Sequence, residues 1–382
     1  MSEGLKKGWR VWRFDQIATM VNDRVDDPAE ANVDYYVGLE HLDPESLTIR
    51  RWGSPSDVNA TKLLFRKGDI IFGRRRVYQR KLAVAHFDGI CSAHALVLRA
   101  KPEVVVPEFL PFFMQSDLFM ERAKQISVGS LSPTINWKTL AKEEFALPPM
   151  EEQKRISKLL NISLNNLEYT HIALIKLLDL RRALQNELLF ESESGEAEKR
   201  FRLSDVAIID PTDPPLPENA PFIPMEYVKE WHREIEQFEV RGKRNGIRAK
   251  ADDVLMARIT PCLENGKIAQ IPQKIERCGG STEFIVFRPE HNVDKSYLYW
   301  LISSDRIRNS AIALMSGSTG RQRVSGQVLA ELSITKMSIE EQNKKGSFID
   351  MAEASRQSYI KRYESVKTIH FDLINRIIEG SG

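Results

Sequence analysis

The sequence predicts an α+β protein with two tandem mixed α/β domains, each followed by a long α-helix, the two helices pairing as a coiled coil. Three observations support this fold class. The chain has 382 residues, which is more than one hydrophobic core usually organises. Its two halves repeat each other in order. Each half ends in a segment of about 40 residues whose apolar side chains follow heptad spacing.

The repeat consists of short matches that follow one another in the same order at a nearly constant offset. One match would carry little weight, but a series of them defines a duplicated unit. The matched segments are 12–18 with 201–207, 68–74 with 252–258, 81–83 with 267–269, 109–110 with 297–298, 116–117 with 304–305, 129–130 with 317–318 and 150–153 with 339–342. The same globular fold is therefore expected twice.

Each repeat mixes strand and helix patterns. Short apolar runs bounded by Gly, Pro or charged residues predict buried strands. These runs are 70–72, 96–98, 254–256 and 284–287. Segments with aromatic residues on one face predict helices at 107–127 and 295–314. Each repeat is therefore expected to be an α+β domain.

Long helices are predicted after both repeats. Segment 150–190 contains no Pro or Gly, and its apolar residues fall three and four apart, interrupted by polar residues such as Ser163 and Arg181. The segment from Ile339 has similar spacing, with Gly346 as its weak point. A helix of about 40 residues is about 60 Å long, and two of them in one chain pair most simply with each other. Either orientation is sterically possible, and an antiparallel pair is our prediction.

The predicted organisation has five parts. They are a first domain at 1–149, a central helix at 150–190, an acidic linker at 191–200, a second domain at 201–338 and a C-terminal helix at 339–382. The charged N-terminus is unlike a secretory signal, and no segment has the length and hydropathy of a membrane-spanning helix. We expect a soluble, cytoplasmic protein without membrane association.

Local charge indicates where nucleic acid would bind. The formal net charge is only +2, so a nucleic-acid interface has to rest on local clusters of Lys and Arg. Segment 62–81 is rich in both and contains one acidic residue, Asp69. A second basic run at 241–250 precedes Asp252 and Asp253. The alternative for each cluster is solvated surface charge.

Arginine is the commonest reader of guanine edges and also binds phosphates, and Gly-Ser loops can approach a DNA backbone closely. The same loops can equally be plain turns. The candidate DNA-contacting residues are Arg74, Arg75, Arg76, Tyr78, Arg80, Lys81, Ser130 and Ser132 in the first repeat and Lys243, Arg244, Arg258, Thr260, Lys267, Ser318, Arg321, Gln322 and Arg323 in the second.

Catalytic and metal-binding patterns are not evident. The three cysteines form no CxxC pair and are odd in number, which argues against a disulfide scaffold and a zinc site. Asp-Pro-Pro-Leu at 213–216 is distantly similar to the catalytic tetrapeptide of adenine methyltransferases, but Leu216 replaces the aromatic residue that stacks on a flipped base. No glycine-rich cradle for S-adenosylmethionine or ATP occurs. We expect a non-catalytic chain without metal or cofactor.

The layout of a globular unit followed by a long helix, repeated once, resembles the specificity subunit of type I restriction-modification systems over essentially the whole chain. The loop Gly-Ser-Leu-Ser-Pro-Thr-Ile at 129–135 and the helix start Glu-Glu-Gln at 151–153 also resemble that family. The second repeat departs by carrying Thr-Lys-Met-Ser at 335–338, where the family has a turn similar to Leu-Pro-Pro.

The resemblance implies that each domain reads one half of a split, asymmetric site in double-stranded DNA, and that the helices fix the distance between the halves. It also implies docking of adenine methyltransferase (modification) subunits, expected as two copies, which bind S-adenosylmethionine. ATP-driven translocation and cleavage, with magnesium, would belong to a restriction subunit where one is present. Two alternatives stay open: a stand-alone methyltransferase or nuclease, and a coiled-coil scaffold that binds only proteins.

Overall fold

The computed structural model describes residues 5–190, 201–240, 246–318 and 320–379. Two compact units are formed, unit 1 from Met1–His171 with Arg362–Gly382 and unit 2 from Ile172–Lys361. The predicted linker at 191–200 lies outside the described residues. Among those that are described, no helix has both the length and the hydropathy needed to cross a bilayer.

Unit 1 contains ten strands in three sheets. They are β1 (Arg10–Arg13), β2 (Ala18–Val21), β3 (Arg24–Val25), β4 (Tyr36–Val37), β5 (Lys62–Phe65), β6 (Ile70–Gly73), β7 (Leu82–Val84), β8 (Gly89–Ser92), β9 (Ala95–Ala100) and β10 (Glu144–Leu147). The sheet orders are β2-β9-β6-β7, β3-β5-β8-β4 and β1-β10. All neighbours are antiparallel except β4 and β8.

Unit 2 repeats this arrangement except for one edge strand of the second sheet, which lies at the opposite edge. Its strands are β11 (Phe201–Arg202), β12 (Ala207–Ile209), β13 (Pro221–Ile223), β14 (Glu239–Val240), β15 (Ile247–Lys250), β16 (Val254–Ala257), β17 (Ile268–Gln270), β18 (Arg277–Gly280), β19 (Phe284–Pro289) and β20 (Ser333–Ile334). The sheet orders are β12-β19-β16-β17, β14-β13-β18-β15 and β11-β20. The pair β13 and β18 is parallel, as β4 and β8 are in unit 1. The predicted duplication of the α+β domain is confirmed.

The central strand of each main sheet is buried on both faces. In β6, Ile70 and Phe72 join a core packed with helices, and Ile71 joins a second core between the sheets. In β16, Met256 joins the core packed with helices, and Leu255 joins the core between the sheets. Because successive strand side chains point to opposite faces, a continuous apolar run fits a strand with two buried faces.

The helices are α1 (Phe14–Ile17), α2 (Leu110–Gln115), α3 (Asp117–Gln125), α4 (Trp137–Leu140), α5 (Met150–Phe190), α6 (Lys295–Ile302), α7 (Asp305–Ala313), α8 (Gly326–Ala330) and α9 (Ile339–Glu379). Each predicted helical segment after the sheets divides into two helices. The break falls at Ser116 and at Ser304, whose extended backbone and hydroxyl oxygen cap the next helix. An N-cap serine satisfies a free N–H of the first turn and so favours a new start.

Both long helices, α5 and α9, have 41 residues. The predicted weak point, Gly346, lies inside α9. A Cβ atom there would stand 3.1 Å from Asp294 Oδ1 and 3.2 Å from the Tyr297 amide nitrogen. Glycine therefore permits α9 to approach the start of α6 closely.

Antiparallel helix segments meet within each unit. In unit 1, Ser163 Oγ lies 2.9 Å from His370 Nδ1, and the rings of His171 and Tyr363 are 5.5 Å apart. In unit 2, Arg181 of α5 lies 3.6 Å from the Glu353 carboxylate of α9. Positions rise along α5 as they fall along α9, so the antiparallel prediction is confirmed. Two polar residues that interrupt the heptads, Ser163 and Arg181, thus contact the other helix, whereas Thr170 donates to Asn166 O of its own helix.

A buried glutamine ties the first turn of each long helix to its own unit. Gln153 Oε1 accepts a hydrogen bond of 2.8 Å from the Val106 amide, and its Nε2 donates to Pro148 O at 2.9 Å. Gln342 makes the equivalent bonds in unit 2, accepting from the Asp294 amide at 3.0 Å and donating to a backbone carbonyl at 3.1 Å. The repeated Glu-Glu-Gln motif thus has the same structural role twice.

Replacing Gln153 by leucine is expected to lower the free energy of unfolding of unit 1 by about 1–3 kcal/mol, because the buried Val106 amide loses its acceptor. Urea denaturation followed by tryptophan fluorescence measures this change. Glu151→Gln, on the exposed face of the same turn, is the matched control and should leave the transition in place. Equal midpoints for the two variants would show that the glutamine does not hold the helix.

Candidate nucleic-acid interface

The basic segment and the Gly-Ser loop of the first repeat lie side by side in unit 1. Residues 128–134, here called hairpin 1, are closed by two backbone hydrogen bonds of 3.1 and 2.9 Å between Val128 and Thr134. The basic segment 74–76 follows β6 and pairs with this hairpin. Ile135 N donates to Arg74 O at 2.9 Å, and Arg76 N donates to Pro133 O at 2.8 Å.

Unit 2 builds the same site. Residues 316–323, here called hairpin 2, are closed by hydrogen bonds of 2.9 and 2.8 Å between Ser316 and Arg323; Thr319 lies outside the described residues. The Val324 amide donates to Arg258 O at 3.0 Å, and the Thr260 amide donates to a carbonyl of hairpin 2 at 3.1 Å. In both units, the segment after the central strand and the Gly-Ser loop, which are far apart in the sequence, therefore lie side by side.

Glycine is required where each hairpin turns. Gly129 has φ +115° and Gly317 has φ +130°, a region that residues with a Cβ rarely adopt. A Cβ on Gly317 would also stand 2.9 Å from Arg321 O. The repeated Gly-Ser pair is thus explained by the backbone of the turn.

One arginine occupies the same place in both sites. Arg74 and Arg258 each follow the central strand, are half-buried, and have a buried Nε without a hydrogen-bond partner among the described residues. Arg74 lines a surface cavity of about 420 Å³, and Arg258 lines one of about 350 Å³. A guanidinium group beside an open surface cavity can bind an anion there.

The side chains around this shared arginine differ between the units. Arg75 and Arg76 are exposed in unit 1, where unit 2 has Ile259 and Thr260. Hairpin 1 exposes two apolar side chains, Leu131 near its tip, 92% exposed, and Val128 at its base, 78% exposed. Hairpin 2 instead carries the exposed Arg321 and Arg323, with Gln322 half-buried. The two sites share a backbone framework and present different surfaces.

Both sites have a positive local environment. Partial burial lowers the pKa of His94, and the neighbouring Arg75 and Arg74 lower it further. In unit 2, the hydrogen bond from Arg323 lowers the pKa of Glu283, with Arg258 and Arg321 adding to the effect. The Arg323–Glu283 ion pair is 2.6 Å long and partly exposed. Cations cluster at both hairpins although the net charge of the chain is small.

Three candidate cations are bonded inside the units instead. Arg80 pairs with Asp117, at 2.5 Å between Nη1 and Oδ1. Lys81 Nζ donates to Leu39 O at 2.6 Å, and its repeat equivalent Lys267 donates to Met225 O at 3.0 Å. Because the same internal bond recurs in both repeats, these lysines also stabilise the scaffold. The role of all three cations as DNA contacts stays a prediction.

The remaining predicted residues are placed as follows. Tyr78 is 55% exposed and lines a cavity of about 430 Å³ whose lining is mixed in charge, with the acidic Glu40, Asp43 and Glu45 and the basic Arg51, Arg80 and Lys81. Ser130 and Ser132 lie in hairpin 1 and Ser318 lies in hairpin 2. Lys243 and Arg244 lie outside the described residues.

The Asp-Pro-Pro-Leu segment is held by ion pairs and hydrogen bonds. The Asp213 carboxylate accepts two hydrogen bonds from Arg288, at 2.9 and 2.7 Å, and this hydrogen bonding lowers its pKa. Arg277 donates to Pro214 O at 2.6 Å. These contacts hold the segment in place as a structural loop of unit 2.

The sequence analysis did not single out the exposed leucine of hairpin 1 as a candidate for DNA contact. The detectable signal was Leu131 itself, an apolar residue between two serines in a glycine-led turn. It also missed the buried glutamines, although their motif was recognised as typical of the family. The sequence contains both features, but it does not show that Leu131 is exposed or which groups the glutamines bond to.

A family model and a curated relative each match part of the chain. Residues 56–178 match the family model described as type I restriction modification DNA specificity domain, a range that includes the basic segment and hairpin 1. The type I restriction enzyme EcoDI specificity subunit of Escherichia coli is 28% identical over 156 residues, which cover 40% of this chain and 34% of that protein. The match therefore spans about a third of the relative's length.

Solved structures show the same fold along the whole chain. A chain from a type I R-M system, studied for complex assembly and conformational transition, has a TM-score of 0.59 and 18% identity, with 98% of both chains covered. The type I restriction-modification S subunit from M. genitalium has a TM-score of 0.57 and 13% identity, covering 99% of this chain and 97% of that one. The predicted fold and the predicted resemblance are confirmed.

Proposed function

We propose that this chain, as a specificity subunit of the type I restriction-modification family, binds double-stranded DNA at a bipartite, asymmetric site. Each unit would read one half of that site through its hairpin and the adjoining segment after the central strand, 74–76 in unit 1 and 258–260 in unit 2. The observation that carries the proposal is the recurrence of one cationic hairpin site in both units, with one arginine kept and the surrounding side chains changed.

The kept and the changed residues correspond to two kinds of DNA contact. Phosphates are the same in every half-site, whereas base edges differ. A residue present in both repeats, such as Arg74 and Arg258, is therefore suited to phosphate contact. Residues that differ, such as Arg75 in unit 1 and Arg321 in unit 2, are suited to base reading. Different readers on one scaffold give an asymmetric site.

Partner docking is proposed on the exposed side of α5. In unit 1, Leu159, Ile162 and Tyr169 are 42%, 68% and 71% exposed and are spaced by three and seven residues, which places them on one helical face. An exposed apolar stripe is a typical protein interaction surface. We propose that modification subunits dock there, one for each unit, with a restriction subunit joining where the system has one.

The chemistry is assigned to those partners. S-adenosylmethionine would be bound by the modification subunits, and ATP and magnesium by a restriction subunit, so that this chain acts without catalysis in the cytoplasm. The lengths of α5 and α9 would set the number of base pairs between the two half-sites.

The whole proposal is tested by co-purifying the chain with an adenine methyltransferase subunit and sequencing the DNA that the complex methylates. Methylation at one split, asymmetric motif is expected. Methyl transfer or cleavage by the chain alone would show it to be an enzyme. Failure to bind any duplex with the modification subunit present would favour a protein scaffold, and a contiguous motif would contradict reading by two units.

Arg74→Ala and Arg258→Ala are each expected to weaken DNA binding to a similar degree on every sequence. Loss of one phosphate contact should reduce the slope of log K against log salt by about 1. The measurement is fluorescence anisotropy of the complex at several salt concentrations. Arg10→Ala removes an exposed charge from β1 and serves as the control. A changed methylation motif with an unchanged salt slope would assign base reading to these arginines instead.

Ile162→Glu is expected to weaken association with the modification subunit at least tenfold, because it places a charge in an apolar contact. Analytical ultracentrifugation of the mixed subunits measures association. Gln125→Glu adds the same charge at an exposed polar position of α3, outside α5, and should assemble normally. Equal assembly of both variants would remove this face from the interface.

A further inference from the structure

Hairpin 1 combines two exposed apolar side chains with neighbouring arginines. Leu131 is 92% exposed and Val128 is 78% exposed. A single exposed apolar residue is ordinary on a protein surface. Here the two lie on the hairpin that pairs with the exposed Arg75, so a DNA duplex drawn to the arginines would meet them.

We propose that hairpin 1 enters the major groove and that Leu131 contacts the 5-methyl group of a thymine, which makes Leu131 a specificity-determining residue of the first half-site. This inference rests on the proposed function, because it requires unit 1 to bind duplex DNA.

The shape of the hairpin favours the major groove. Hairpin 1 is a narrow loop closed by the single Val128–Thr134 backbone pair, and its turn is braced by a 3.0 Å hydrogen bond from Thr134 Oγ1 to Ser132 O. The major groove, about 12 Å wide, admits a two-stranded β-ribbon, whereas the minor groove is about half as wide. The braced tip can therefore reach base edges without unfolding.

The chemistry of the tip selects the contact. Most groups on the major-groove edges of the bases are hydrogen-bond donors or acceptors, and the thymine methyl is the apolar exception. Leu131 has no donor or acceptor and can discriminate among bases only by apolar contact. Hairpin 2 instead carries the exposed Arg321 and the half-buried Gln322, residue types that hydrogen-bond to guanine and adenine. The two halves of the site are thus read by different chemistry.

The test is a double-mutant cycle between Leu131→Ala and replacement of single thymines by deoxyuridine, which lacks the methyl group. The complex with the modification subunit is titrated with duplexes that carry the methylated motif. One substitution in the first half-site should weaken wild-type binding about fourfold, as expected for one buried methyl. Leu131→Ala should bind both duplexes equally. Leu118→Ala removes an apolar side chain that is 40% exposed on α3 and should keep the fourfold difference.

Coupling at one thymine, with relaxed methylation at that base pair, supports the assignment. It is overturned if no thymine couples, if the first half-site has no A·T pair, or if Leu131→Ala lowers affinity equally for all duplexes and reduces DNA bending, as a wedge between bases would. It is also overturned if Leu131→Ala blocks only association with the modification subunit. Each of these outcomes leaves wild-type DNA binding intact. A wild-type complex that binds no duplex would instead overturn the proposed function.

Discussion

The hydrogen bonds of one buried glutamine at the start of each long helix are the interaction on which the arrangement of each unit depends. Gln153 and Gln342 both join a helix to the turn before it and to a backbone amide of their own unit. Their amides are almost completely buried, so a helix that left this position would leave polar groups unsatisfied. The direction of a 41-residue helix is thus fixed in its first turn.

Other repeated contacts build the scaffold around these anchors. Asp69 and Asp253 are buried at equivalent positions, and each accepts a hydrogen bond from an arginine of the neighbouring strand, Arg99 at 2.7 Å and Arg288 at 2.8 Å. A buried carboxylate is costly without a partner, so neither member of the pair can change alone. Residues at the hairpin tips have no such constraint. One fold can therefore present two different surfaces in one chain.

The fold was predictable because its evidence is local or periodic. Apolar runs identified the central strands, heptad spacing identified α5 and α9, and the ordered matches identified the duplication. The helix break at Ser116 was missed because a capping serine is hard to distinguish from a helical one by pattern. The ion pair of Arg80 was not predicted because its partner Asp117 is 37 residues away. Charge clustering shows where cations are dense, but which of them reach solvent depends on contacts that the sequence does not display.

The two cationic sites differ in how much charge they offer to DNA. In unit 2, Arg323 is held by Glu283 in a partly exposed ion pair, and such pairs contribute little to stability in water. A phosphate can displace that carboxylate, but Glu283 then remains close to the DNA and opposes it. In unit 1, Arg75 and Arg76 are exposed, and neither forms an ion pair among the described residues. The first half-site is therefore expected to supply more of the salt-dependent affinity, and the second to depend more on the match between its side chains and the bases.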